Sequence, residues 1–112
     1  MEISCSAVGD VLVVVPEEKR IDAYSAPDFK GRMVDWINSG HTRLILDLSC
    51  VEFIDSSGLG AMVSTLKTIG NRGDLVICGV QKAVMNLFQL TRMNRVFRIF
   101  PSREEALTSL SG

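Results

Sequence analysis

The sequence predicts one α/β domain: a mixed, mostly parallel β-sheet with an N-terminal hairpin and about four helices. Short β-branched runs alternate with stretches whose apolar residues recur at helical spacing. The first two runs are divided only by Gly9-Asp10, a turn signal that fits a hairpin. Strands joined by helical crossovers should be parallel to one another, and a hairpin adds one antiparallel member. The 112 residues suit one core. No repeat, low-complexity segment or boundary divides the chain, so residues 1–112 are read as a single domain.

Ile3 to Val8 reads as the first strand and Val11 to Val15 as the second. Five successive apolar residues in the second suggest burial on both faces. Pro16-Glu17-Glu18-Lys19-Arg20 breaks the strand and is expected to be a solvated loop. A helix follows Tyr24, with Ser25 as cap, Pro27 in the first turn and Asp28 completing a capping box. Its apolar face is Phe29, Met33, Trp36 and Ile37, and Gly40 is its stop. Arg43 to Leu48 reads as the central strand, and Val51 with Phe53 or Ile54 turns inward beyond it. A helix from about Ser57 to Ile69 is expected to bury Leu59, Met62, Val63, Leu66 and Ile69. Its other face, Gly60, Ala61, Ser64 and Thr68, is small and uncharged, which suits a docking surface or packing under a loop. Asp74 to Gly79 is the next strand, and Gln81 to Leu90 a helix with Val84, Leu87 and Phe88 inward. Thr91 to Arg95 connects it to a last edge strand, Val96 to Phe100. Ser102-Arg103-Glu104-Glu105 opens a short amphipathic helix through Ala106, Leu107 and Leu110.

Composition removes several function classes. A net charge of −1 lacks the cationic excess that a nucleic-acid surface needs. No apolar run nears the length of a membrane span, and the N-terminus has no signal-peptide pattern. Cys5, Cys50 and Cys78 have no C-x-x-C spacing, and with the single His41 they form no convincing metal site. Cys50 and Cys78 are expected to be buried thiols, and the whole pattern suits a reducing cytoplasm. No cofactor-binding loop is present.

The chemistry concentrates in Asp55-Ser56-Ser57-Gly58-Leu59-Gly60, where a strand gives way to a helix. The glycines Gly58 and Gly60 allow close backbone approach. A first helical turn leaves free N–H groups and tolerates an anion. Three readings compete. The bland one is capping, for which Asp and Ser are well suited. The second is a serine nucleophile, which needs a base and an oxyanion site. His41 is the single histidine, in a distant turn, and the G-x-S-x-G spacing is absent. The third is a phosphoacceptor serine, where the added charge is itself the signal.

Phe53-Ile54-Asp55-Ser56-Ser57-Gly58-Leu59-Gly60 resembles the signature of the anti-sigma factor antagonists, which are stand-alone STAS domains. The resemblance spans nearly the whole chain and includes Arg20-Ile21-Asp22-Ala23. It implies partner switching by a protein with no enzymatic activity or cofactor of its own. The unphosphorylated form binds an anti-sigma factor that is also a serine kinase of the histidine-kinase-like ATPase type, and so releases the sigma factor. The kinase then phosphorylates the serine after the signature aspartate, here Ser56, and a PP2C-type phosphatase restores the hydroxyl. Asp22, Asp55, Ser57, Gly58 and Gly60 fall on the implied partner-binding surface. Of these, Asp55 is expected to position Ser56 or touch the kinase, and Ser57 to act as a cap. Asp22 either meets a partner arginine or merely caps the chain before the first helix. Lys19 stands where the family usually has glycine, which bears on partner choice. Two related roles stay open: a regulatory subunit of a lipid-transporting ABC transporter, and a signalling protein that acts on no sigma factor.

Overall fold

The computed structural model describes residues 1–111. Its main sheet has five strands in the order β1 (Ile3–Val8), β2 (Val11–Pro16), β4 (Arg43–Asp47), β6 (Asp74–Cys78) and β7 (Arg98–Phe100). The β1–β2 pair is the expected antiparallel hairpin, and the other three pairings are parallel. The helices are α1 (Ala26–Asn38), α2 (Ser56–Ile69), α3 (Lys82–Leu90) and α4 (Arg103–Ser111). Two two-residue strands, β3 (Arg20–Ile21) and β5 (Phe53–Ile54), form a separate parallel ribbon.

Alternation along the strands explains the layers. Leu12, Val14, Leu44, Leu46, Leu75 and Ile77 face the core shared with α1, α2 and α3. Val11, Val13, Ile45, Val76 and Cys78 face the other way and pack under Ala106 and Leu110 of α4. Both faces of β2 and β4 are therefore buried, as their unbroken apolar runs suggest. The edge strand β1 is different, because Ser4 to Val8 are all exposed.

Several local expectations need correction. The stretch after Pro16 is not all loop. The Lys19 carbonyl accepts the amides of Glu52 and Phe53, and Arg20–Ile21 pairs with Phe53–Ile54. Two residues give no periodicity to read, so this ribbon has no sequence signal. Ser25 does not cap α1: its Oγ accepts the Asp22 amide instead, and Asp28 lies 3.3 Å from the N-terminal ammonium. In α2 the buried stripe is Gly58, Ala61, Met62, Thr65 and Ile69, while Leu59, Val63 and Leu66 are half-buried. The helix is rotated from its expected orientation because it packs on α1 as well as on the sheet, and Ala61 turns inward. Thr65 is accommodated because its hydroxyl donates to the Ala61 carbonyl. Cys50 is exposed, since it sits in the turn after β4, while Cys78 is buried. The last strand is shorter than expected and begins at Arg98, because Met93–Arg95 forms a 3₁₀ turn entered through Arg92 at φ 61°. Ser102 does cap α4, accepting the Glu105 amide.

One buried charge ties α4 to the sheet. Asp47, 6% exposed at the end of β4, accepts Arg103 Nη2 at 2.8 Å and the Ser49 amide at 3.0 Å. Burial opposes its charge, yet the Arg103 guanidinium and the Ser49 amide outweigh this and hold the carboxyl below its usual value. A depressed native pKa stabilises the fold above the unfolded value and loses that contribution as pH falls through the native one. Arg103→Ala is therefore expected to cost about 1–3 kcal/mol near neutral pH. The deficit should shrink in acid, once the pH falls below the lowered native value and Asp47 is protonated. Urea denaturation of both proteins at the two pH values checks this, and a deficit that persists in acid would assign the loss to packing.

Candidate functional site

Every residue of the signature sits where β5 turns into α2. Asp55 is the N-cap, in extended backbone at φ −98° and ψ −174°. Its Oδ1 accepts the Gly58 amide at 2.9 Å, which satisfies one of the orphan donors of the helix. Its Oδ2 accepts the Ala23 amide at 3.1 Å, from the loop before α1. One carboxylate thus holds two segments together. Asp55 is fixed by structure, and the cap is Asp55 rather than Ser57. Asp55→Ala is expected to destabilise the domain by about 1–2 kcal/mol, measured by chemical denaturation. Asp55→Ser should recover part of the loss, because a hydroxyl can cap Gly58.

Ser56 and Ser57 are the first two residues of α2, and both are exposed. Among the described residues neither hydroxyl has a hydrogen-bond partner. The nucleophile reading needs a base bonded to one of them. His41 stands instead in the turn before β4, its amide bonded to the Trp36 carbonyl. The amides of Ser56 and Ser57 precede the first intrahelical bond and point out of the helix end. An anion on Ser56 would meet these donors and the positive end of the dipole.

Gly58 and Gly60 play different parts. A Cβ on Gly58 would lie 2.5 Å from the Ile21 carbonyl oxygen and 2.8 Å from Ile54 Cγ2. The β3–β5 ribbon passes directly over it, so the expected close approach is real there. A Cβ on Gly60 would meet nothing within 4 Å outside its own helix turn, and the expectation of close approach within the chain fails. Gly60 instead lines an open groove of about 430 Å³ between α1 and α2, with Ser57, Ser64, Ala23, Pro27 and Lys30.

Asp22 stands beside this centre. Its Oδ1 accepts the amides of Tyr24 and Ser25 at 3.0 and 3.3 Å, and its Oδ2 lies 3.5 Å from Arg20 Nε. Partial desolvation favours the neutral acid, but those two amides and Arg20 together hold its carboxyl below the usual range. The capping role is thus visible in the geometry, and Asp22 already has an arginine neighbour in its own chain. The Arg20 guanidinium also stacks over the half-exposed Phe53 ring at 4.4 Å. Tyr24, 97% exposed, projects from the same loop. Sequence reasoning passed over Tyr24; an aromatic between Asp22 and Ser25, off any helical register, was the available signal. Lys19 needs no glycine geometry, since Arg92 alone among the described non-glycine residues has positive φ. Asp55, Ser56, Ser57, Gly58 and Asp22 are thus gathered at one end of the molecule, and Gly60 follows on the exposed side of α2.

The sequence model of the STAS domain matches residues 3–106. This chain belongs to the STAS domain family. A provisionally named anti-sigma factor antagonist homologue from Thermotoga neapolitana is 31% identical to this STAS domain over 107 residues, 94% of each chain. The anti-sigma-B factor antagonist of Listeria monocytogenes is 32% identical over 80 residues, 70% of each. The crystal structure of a provisionally named anti-sigma factor antagonist from Thermotoga maritima superposes on this STAS domain with a TM-score of 0.93. It is 29% identical, and the match covers 98% of this chain and 95% of that one.

Proposed function

We propose that this STAS domain is an anti-sigma factor antagonist that works by partner switching, with Ser56 as the phosphoacceptor. The observation that carries the reading is the Ser56 hydroxyl, exposed and unengaged on the first turn of α2 beside an aspartate that is fully engaged. A hydroxyl so placed is open to a kinase, whereas a structural cap would be bonded inward. Asp55 spends both oxygens on backbone amides, so it positions the segment and leaves the catalytic base to the kinase. Named relatives at 31% and 32% identity support the antagonist role.

In this reading the unphosphorylated surface around Ser56, Ser57, Gly60 and Asp22 binds an anti-sigma factor with serine kinase activity and a histidine-kinase-like ATPase fold. Phosphorylation of Ser56 ends the complex, and a PP2C-type phosphatase reverses it in the cytoplasm. ATP and Mg²⁺ belong to the partners, and the domain itself catalyses nothing. The groove beside Gly60 receives the partner, and the small side chains along it permit close approach.

Intact-mass analysis tests the reading, with wild type and Ser56→Ala each incubated with ATP, Mg²⁺ and the candidate kinase. One phosphate on wild type and none on the variant is expected. Phosphate on both moves the site to another hydroxyl, Ser57 first. No modification of either by any candidate kinase rejects the phospho-switch.

A further inference from the structure

We infer that β1 is the seam of a symmetric dimer, in which two copies of this chain pair their first strands antiparallel about a two-fold axis at Cys5. This seam lies in the hairpin and does not depend on the reading of Ser56. The main sheet has two edges, and they are built differently. β7 is three residues long, begins with Arg98, which lies 3.9 Å from Asp74, and is followed by Pro101. Shortness, charge and a proline are the usual protections of an edge. β1 has none of them among its own residues, although the Arg32 guanidinium of α1 reaches the outward carbonyls at its start, Met1 at 2.9 Å and Ile3 at 3.5 Å, and a second copy would have to displace it from Ile3. Its six residues, Ile-Ser-Cys-Ser-Ala-Val, carry no charge and no proline. It matches β2 residue for residue from Ile3↔Pro16 to Val8↔Val11, so no bulge bends it away.

The hydrogen-bond phase fixes how a second copy would fit. Glu17 N donates to the Glu2 carbonyl, one step beyond the Ile3↔Pro16 pair. In an antiparallel ladder bonded and non-bonded pairs alternate. The even residues of β1 therefore turn their backbone groups toward β2. Ile3, Cys5 and Ala7 turn theirs outward. The Ile3 carbonyl agrees, since what it accepts is a long bond of 3.5 Å from Arg32 Nη2. A two-fold at Cys5 sets Ile3 against Ala7 of the second copy and Cys5 against Cys5. Each is a pair of outward-facing residues that can exchange two N–H···O=C bonds. A centre at Ser4 or Ser6 leaves one outward residue of each strand without a partner inside the strand. A centre between residues sets outward groups against inward ones. With no charge on the strand, self-pairing brings no like charges together. The interface is isologous and closes at two copies, because the second edge, β7, is protected.

Sedimentation of the full chain in reducing buffer tests this, with wild type, Cys5→Ser and Cys5→Pro. Cys5→Ser keeps the ladder and should dimerise like wild type. Cys5→Pro removes an N–H that β2 does not use, so the monomer should melt as before while the dimer dissociates about tenfold more easily or worse. Wild type that stays monomeric at all concentrations, or a dimer unaffected by Cys5→Pro, overturns the inference. A second test needs no proline. At a bonded pair the two Cys5 Cα atoms would lie about 5.5 Å apart, within disulfide range. Diamide takes up the two thiol hydrogens as the S–S bond closes. It should link wild type and Cys50→Ser into dimers and leave Cys5→Ser unlinked. Linkage through Cys50, the other exposed thiol, would contradict the seam.

Discussion

Gly58→Ala is expected to lower the free energy of unfolding by about 1–3 kcal/mol, although alanine is the better helix former by about 1 kcal/mol. The new methyl would enter a space held by the Ile21 carbonyl and Ile54 Cγ2. The carbonyl cannot simply withdraw, because it accepts the Asp55 amide at 3.3 Å. Ile21 and Ile54 are 0% and 2% exposed, so neither side chain has room to swing. Relief must come from sliding the β3–β5 ribbon off α2. That would pull Asp55 from its bond with the Ala23 amide and disturb the loop carrying Asp22. Loss of stability and loss of partner affinity should therefore appear together. Gly60→Ala is the control of opposite sign. Its Cβ meets nothing, so the helix gains up to about 1 kcal/mol. A docking groove narrowed by that methyl should still bind its partner less well. Thermal melts and titrations of the two variants separate these effects, and two variants that behave alike would show that the ribbon yields easily.

Phosphorylation of Ser56 is expected to cut affinity for the kinase partner at least about a hundredfold while leaving the fold unchanged. The phosphate adds about −1.5 to −2 charges beside Asp55. Within the domain the outward amides of Ser56 and Ser57 and the helix dipole offset that charge. Across a closed interface they cannot. A like charge about 4 Å away costs on the order of 4 kcal/mol at an effective dielectric near 20. Each 1.4 kcal/mol is about tenfold in affinity, so one such contact suffices with no conformational relay. The exposure of Ser56 fits this local mechanism, because a phosphate there needs no rearrangement of the core.

The five-stranded sheet and its four helices were legible because each of their segments carries a strong period or an unbroken apolar run. The central place of Arg43–Asp47 and the edge position of the last strand follow from the same logic. Beyond local details, two larger features were not legible. The β3–β5 ribbon is set by tertiary contact between segments that are 33 residues apart in their pairing, Arg20 with Phe53 and Ile21 with Ile54. The rotation of α2 came from a second packing partner, α1. Amphipathic spacing alone assumes one buried face and so chose Leu59 over Ala61. At the site, the strand–helix junction marked Asp55, Ser56 and Ser57 together, and the family resemblance alone singled out Ser56. The sequence could not say that Asp55 reaches both Gly58 and Ala23, nor that Ser57 does no capping.

The most direct measurement is a titration of the candidate anti-sigma factor kinase with two preparations of the full chain, unmodified and stoichiometrically phosphorylated on Ser56. Matching amide NMR spectra outside the first turn of α2 should confirm that both are folded alike. The partner-switching account predicts tight binding by the unmodified domain and a loss of at least about a hundredfold on phosphorylation. Equal affinity of the two preparations would contradict it.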